Sequence, residues 1–306
     1  MHCVTLRVGV QRPACAHGRR AQHGPVRVVR SAALGCKFVG VGSCTPSTII
    51  TNDDLSSLVD TNDAWISSRT GIRQRRVLGA GESLTSISAQ AGARALEMAG
   101  TKPEEIDIVL FASSSPDDLF GGACQVQAAL GCKNAVAFDI TAACSGFVIA
   151  LITAAQYIRG GSAKKVLVVG ADALSRFVDW RDRGSCILFG DGSGAIVMVA
   201  TDGPCGLLGF DMHSDGHGQK SLNCNFEVVN GVKPLLSESA SAQGAYRNLA
   251  MVGADVYKFA VKSVPSVIEK ALEKSGLSKS DVDWLVMHQA NQRIMDACAE
   301  RLELPK

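Results

Sequence analysis

The chain predicts an α/β fold, and three features of the sequence predict it. Short apolar runs alternate with helical patterns from Cys36 onward, and no linker-like tract interrupts them. The apolar runs show little polar alternation, as expected of strands covered on both faces. A helix, glycine, acidic turn and apolar run between Ala95 and Ser113 recur without gaps between Ala271 and Gln289, an offset of 176 residues. The repeat divides the chain into two related halves near Gly203 and Gly206.

The elements follow in order. Strands are expected over residues 36–41, 106–112, 135–140, 165–170, 185–189 and 195–200, and helices over 52–59, 83–99, 123–130 and 144–159. In the second half, residues 284–287 (Trp-Leu-Val-Met) read as a buried strand ending at His288. The 306 residues are 46% hydrophobic and 20% charged, enough to bury one large core or two fused ones. No stretch approaches the roughly twenty uncharged apolar residues that a membrane span needs, so no membrane partner is expected. Eleven cysteines, an odd and irregularly spaced set without a C-x-x-C pair, argue against a disulfide framework or zinc site and for a reducing compartment. His213 and His217 lie in a Gly/Asp/Ser-rich loop rather than a metal site, and no metal is expected.

Charge separates the first 34 residues from the rest. They hold six arginines and no acid; without them 25 Lys and Arg face 29 Asp and Glu, a net charge of −4 instead of +2. An Arg-rich, acid-free start without a long apolar core predicts an organelle transit peptide over residues 1–34. The halves are then assigned to 35–203 and 204–306. The absence of a basic stripe and an aromatic content of 5% exclude a nucleic-acid partner.

The candidate nucleophile is Cys144. An apolar strand ends in Thr141-Ala142-Ala143, and the cysteine then opens a helix that is apolar on every face and expected to be buried. The helix's unpaired N–H groups and positive dipole end favour thiolate, the nucleophilic form. His288, at a strand's carboxyl end in the sister half, is placed to donate to an oxyanion or move a proton. Two glycine-rich stretches make no phosphate cradle. The Gly40/Gly42 stretch lacks a third glycine and runs into Pro46, and Gly190-Asp191-Gly192-Ser193-Gly194 precedes a strand, where a tight turn with close packing is expected. Trp65, four residues before Arg69 in an arginine-rich run, offers a stacking surface beside a phosphate-binding guanidinium, a pairing that suits an adenine nucleotide.

Taken in order, Trp65 with Arg69-Thr70-Gly71-Ile72-Arg73, Ala143-Cys144-Ser145-Gly146-Phe147, Asp182-Arg183-Gly184, Phe189-Gly190-Asp191-Gly192 and His288-Gln289-Ala290-Asn291 resemble β-ketoacyl-acyl-carrier-protein synthase III, most of all the plastid type. The resemblance spans residues 36–306. It implies a thiolase-like fold of two similar halves in α-β-α-β-α layers, acting as a homodimer in the plastid stroma. It implies that Cys144 takes acetyl from acetyl-CoA, and that decarboxylated malonyl-acyl carrier protein attacks the acyl-cysteine to give acetoacetyl-carrier protein. No cofactor is implied, since acetyl-CoA is a substrate. By the same resemblance His288 steadies the enolate oxygen, Trp65, Arg69 and Arg183 hold the adenine and phosphates of CoA, and Asn291 lies near pantetheine. Phe120 closes the partner's acyl pocket, and Arg293 with Lys258 faces the carrier protein. The family's third catalytic residue, an asparagine in a Gly-Asn-Thr-Ser-type motif, is not found after His288. The sequence is therefore expected to be C-terminally truncated, with an incomplete second half. The alternative function is a non-catalytic CoA-binding or dimer-partner member of the family.

Overall fold

The computed structural model describes residues 35–203, 205–228 and 244–304, so the predicted transit peptide lies outside the described residues. Its elements run β1 (Gly35–Cys44), β2 (Thr48–Thr51), α1 (Asn52–Ser56), α2 (Asp63–Thr70), β3 (Gln74–Val77), α3 (Leu84–Met98), β4 (Ile108–Ala112), α4 (Ala123–Leu130), β5 (Val136–Ile140), α5 (Gly146–Arg159), β6 (Lys165–Ala173) and β7 (Asp191–Thr201). After these come the short strands β8 (Leu222–Asn223), β9 (Phe226–Val228), β10 (Gly244–Tyr246) and β11 (Ala250–Met251), then α6 (Gly253–Ser275) and α7 (Gln292–Leu302).

A five-stranded mixed sheet in the order β1-β7-β6-β4-β5 organises the first half. β4 pairs in parallel with both β5 and β6, while β7 runs antiparallel to β6 and β1. All five residues of β4 are buried, because helices cover both faces. Its alternate residues divide between two cores. Val109 and Phe111 pack with Leu84, Ile87, Ala91 and Ala95 of α3 and Val126 of α4. Ile108 and Leu110 pack with Ala150, Ala154 and Ile158 of α5. α3 starts at a reciprocal cap: Ser83 Oγ accepts from Ser86 N–H, and Ser86 Oγ accepts from Ser83 N–H. Gly40 and Gly42 let α3 lie directly on β1. A β-carbon on Gly40 would come within 2.7 Å of Ala99 N, and one on Gly42 within 2.6 Å of Ala95 N.

Four expectations need correction. Residues 185–189 form no strand. Asp182 turns the chain on itself, accepting from Gly184 N–H and Ser185 Oγ, while Cys186 N–H donates to its carbonyl, so the segment is buried as a turn. The glycines at 190–194 form no tight turn either, since Asp191 already opens β7. α5 is not buried on every face: Gly146, Ala150, Ala154 and Ile158 are covered, while Val148 is 56% exposed. Residues 284–287 are not a strand. The repeat holds through the helix, a glycine at positive φ (Gly100 and Gly276) and a 3-10 turn (Pro103–Glu105 and Lys279–Asp281), then fails. Trp284 and Val286 stand exposed, and no described strand runs beside them to form a ladder.

Pro265 interrupts α6 and leaves the Val261 carbonyl, four residues back, without its helical N–H. The Arg301 guanidinium of α7 donates to that carbonyl and ties the two helices together. Arg301→Ala is expected to lower stability by about 1 kcal/mol, measured as a shift in the denaturation midpoint.

Candidate active site

The carboxyl ends of β4 and β6, the start of β7 and the turn after β5 enclose a cleft of about 280 Å³. Cys144, Asp172 and His288 line it, with small residues (Ala112, Gly170, Gly192) forming much of the rest. Open α/β sheets collect ligands at this edge because the loops there converge and the strands end.

Cys144 is mounted by strain and packing. The chain leaves β5, and Ala143 takes a φ of 44° directly before the cysteine. The left-handed region costs a β-carbon residue roughly 1–2 kcal/mol, so the surrounding fold must hold it. A 3-10 turn, Ala143–Ser145, leads into α5. Phe147, one helical turn on, packs so closely on Gly170 of β6 that a β-carbon there would lie 2.7 Å from its ring.

The thiol's electrostatics differ from the sequence expectation. Burial by the surrounding protein, and then the negative charge of Asp172, push the Cys144 pKa up, although the residue keeps solvent-accessible surface. Two of the N–H groups expected to favour thiolate are already used, Ser145 N–H by the Ala142 carbonyl and Gly146 N–H by the Ala143 carbonyl. The helix end therefore opposes the rise without reversing it. Burial draws the His288 pKa down, which leaves a neutral imidazole with one N–H donor at neutral pH.

Sequence reasoning missed Asp172. Its Oδ1 accepts from Ser114 N–H at 2.8 Å and Ser115 Oγ at 2.8 Å, and so fixes the end of β4 against β6. The available signal was an acid inside the small apolar run at the end of β6. Asp172→Asn removes a negative charge beside the thiol while keeping its size. The pH profile of Cys144 alkylation by iodoacetamide is expected to move to lower pH, with faster alkylation at neutral pH; an unmoved profile would show that the carboxylate does not act on the thiol.

A second group of side chains lies apart from this cleft. Trp65 and Arg69 project from α2, and the Asp182 turn brings Arg183 to the same indole. The guanidinium carbons lie 4.7 Å (Arg69) and 4.9 Å (Arg183) from the Trp65 ring centroid. Arg183 also donates to the Asp60 carbonyl at 2.8 Å. Asn291 caps α7, its side-chain oxygen accepting from Arg293 N–H at 2.9 Å. Arg293 is exposed and donates to the Ser68 carbonyl at the end of α2; Lys258 is exposed on α6. Phe120 stands 97% exposed beside Leu119 on the loop between β4 and α4. Among the described residues no three His, Cys, Asp or Glu side chains gather as a metal would require.

A strained turn presenting a cysteine at the edge of a layered α/β sheet, opposite a neutral histidine, defines a thiolase-like condensing enzyme. Solved structures agree. The 3-oxoacyl-[acyl-carrier-protein] synthase III of Aquifex aeolicus superposes with a TM-score of 0.79 at 39% identity, covering 89% of this chain and 82% of that one. That of Thermus thermophilus gives 0.77 at 38%, covering 88% and 81%. The profile for 3-oxoacyl-[acyl-carrier-protein (ACP)] synthase III matches residues 138–216, and that for its C-terminal part matches 272–306. The chain is 54% identical to the chloroplastic β-ketoacyl-[acyl-carrier-protein] synthase III of Arabidopsis thaliana, over 90% of this chain and 70% of the relative. It is 49% identical to the chloroplastic synthase III B of Cuphea wrightii, over 99% and 76%. The chain belongs to the β-ketoacyl-[acyl-carrier-protein] synthase III family.

Proposed function

We propose that this chain is the acyltransferase that condenses acetyl-CoA with malonyl-acyl carrier protein, giving acetoacetyl-acyl carrier protein, carbon dioxide and CoA at the start of fatty-acid synthesis. The observation that carries this reading is the pairing of Cys144, on its strained turn, with a neutral His288 across one cleft.

The Cys144 thiolate attacks the acetyl thioester carbonyl, the bond to the CoA sulfur breaks, and CoA leaves as its thiol. The proton given up by the Cys144 thiol ends on the departing CoA sulfur. Malonyl-carrier protein then loses carbon dioxide, and the released electron pair places charge on its thioester oxygen. The N–H of neutral His288 donates to that oxygen. The enolate carbon attacks the acyl-cysteine, and the sulfur of Cys144 departs and regains a proton.

Trp65 would stack the adenine, with Arg69 and Arg183 on the phosphates; their convergence on one indole supports this role. Asn291, beside His288, would meet the pantetheine arm while capping α7. Phe120 and Leu119, exposed side by side, support a homodimer in which a second copy covers them and takes Phe120 into its acyl pocket. Exposed Lys258 and Arg293 would meet the acidic carrier protein. The arginine-rich start and the chloroplastic relatives support the plastid stroma. Incubation with acetyl-CoA and malonyl-carrier protein, followed by mass analysis of the carrier protein, is expected to show acetoacetyl product. Carrier protein that stays malonylated, with no CoA released, would sink the reading.

A further inference from the structure

Arg75 is 5% exposed and Asn52 1%, and neither belongs to the cleft of Cys144. Burying a guanidinium is costly, and burial pulls its pKa down, yet arginine keeps its charge. Its hydrogen-bond partners are carbonyls and one amide: Nη1 donates to the Ile50 carbonyl at 3.2 Å, and Nη2 donates to Asn52 Oδ1 at 2.9 Å and to the Ile187 carbonyl at 3.0 Å. Asn52 passes the chain of bonds onward. Its Nδ2 donates to Asp63 Oδ1 at 2.8 Å and to the Ile72 carbonyl at 2.8 Å.

These contacts join two elements that are far apart in sequence. Asp63 is the first residue of α2, which carries Trp65 and Arg69, and Ile72 follows its end. Ile187 closes the turn that carries Arg183. Leu55, Ile66, Cys186 and Ile187 form a small apolar core around the junction. A buried chain of hydrogen bonds therefore joins the element that carries Trp65 and Arg69 to the one that carries Arg183.

We propose that Arg75 and Asn52 are positioning residues for the CoA nucleotide subsite: the buried bonds from Ile187 through Arg75 and Asn52 to Asp63 hold Trp65, Arg69 and Arg183 in register before the nucleotide binds. The inference rests on reading those three side chains as that subsite. A preorganised site loses less freedom on binding, so loosening these buried bonds weakens the nucleotide and not the acyl chemistry.

The test uses Asn52→Ala and Arg75→Met in the whole chain, with Trp65→Ala as control and folding followed by circular dichroism. The readouts are calorimetric binding of CoA and of adenosine bisphosphate, and the rate of Cys144 alkylation by iodoacetamide. Binding of both nucleotides is expected to weaken about tenfold or more in the folded variants while alkylation stays unchanged. Asn52→Ala, which leaves the guanidinium and its carbonyl partners in place, carries the test where Arg75→Met does not fold. Unchanged nucleotide binding in folded Asn52→Ala, or equal losses of binding and alkylation, would overturn the proposal. If Trp65→Ala leaves binding unchanged, the subsite reading itself fails, and the proposal with it.

Discussion

Cys144→Ala is expected to abolish condensation, a loss on the order of 10⁶-fold when a nucleophile that acts as a unit with its partners is removed. Among the described residues, Cys144 is the only cysteine lining the cleft. The fold should tolerate the change, because the residue is solvent-accessible and Ala143, not Cys144, adopts the strained φ. The variant should still bind CoA, since Trp65, Arg69 and Arg183 sit on other elements. It should also still decarboxylate malonyl-carrier protein slowly, because that step needs an oxyanion donor and not the thiol. Chromatographic product assays and carbon dioxide release separate the two activities. Full condensation by Cys144→Ala would remove the thiol from the mechanism.

His288→Ala gives the second large effect and the opposite split. Losing one preorganised donor to a developing oxyanion costs about 10²–10³ in rate. The loss should fall on decarboxylation and condensation, while acetyl transfer to Cys144 survives. Burial lowers the His288 pKa, so the neutral ring persists as the pH falls through the ordinary histidine value, and below that lowered pKa the imidazolium still offers an N–H to the oxygen. Condensation should therefore keep its rate into mildly acidic conditions, as far as His288 governs it. Equal loss of acetyl transfer and decarboxylation in His288→Ala would instead mean that the ring acts on the thiol.

Much of the fold was legible in the sequence because its signals are local. Residues 123–130 were read as a helix and form α4 with the same bounds, and the runs read as strands at 106–112 and 135–140 form the parallel strands β4 (Ile108–Ala112) and β5 (Val136–Ile140). Cys144 and His288, read from opposite halves, line one cleft. Two of the errors share a cause, namely partners distant in sequence. The run 284–287 has the composition of a strand, but composition does not supply a neighbouring strand. The run 185–189 was misread for a local reason, since Asp182, three residues before it, turns the chain instead of letting it extend. The thiol's pKa followed burial and Asp172, 28 positions away on β6, rather than the helix end that the local sequence emphasised. Arg75 was likewise hidden inside an arginine run whose other members are more exposed.

The central claim is that Cys144 becomes acylated and then gives up its acyl group to carbon. The most direct measurement incubates the protein with acetyl-CoA, then with malonyl-carrier protein, and follows the peptide containing Cys144 by mass spectrometry. The account predicts an acetyl adduct on Cys144 after the first addition and its disappearance after the second, matched by acetoacetyl-carrier protein. An acetyl group on another residue, or a Cys144 adduct that persists while product forms, would contradict it.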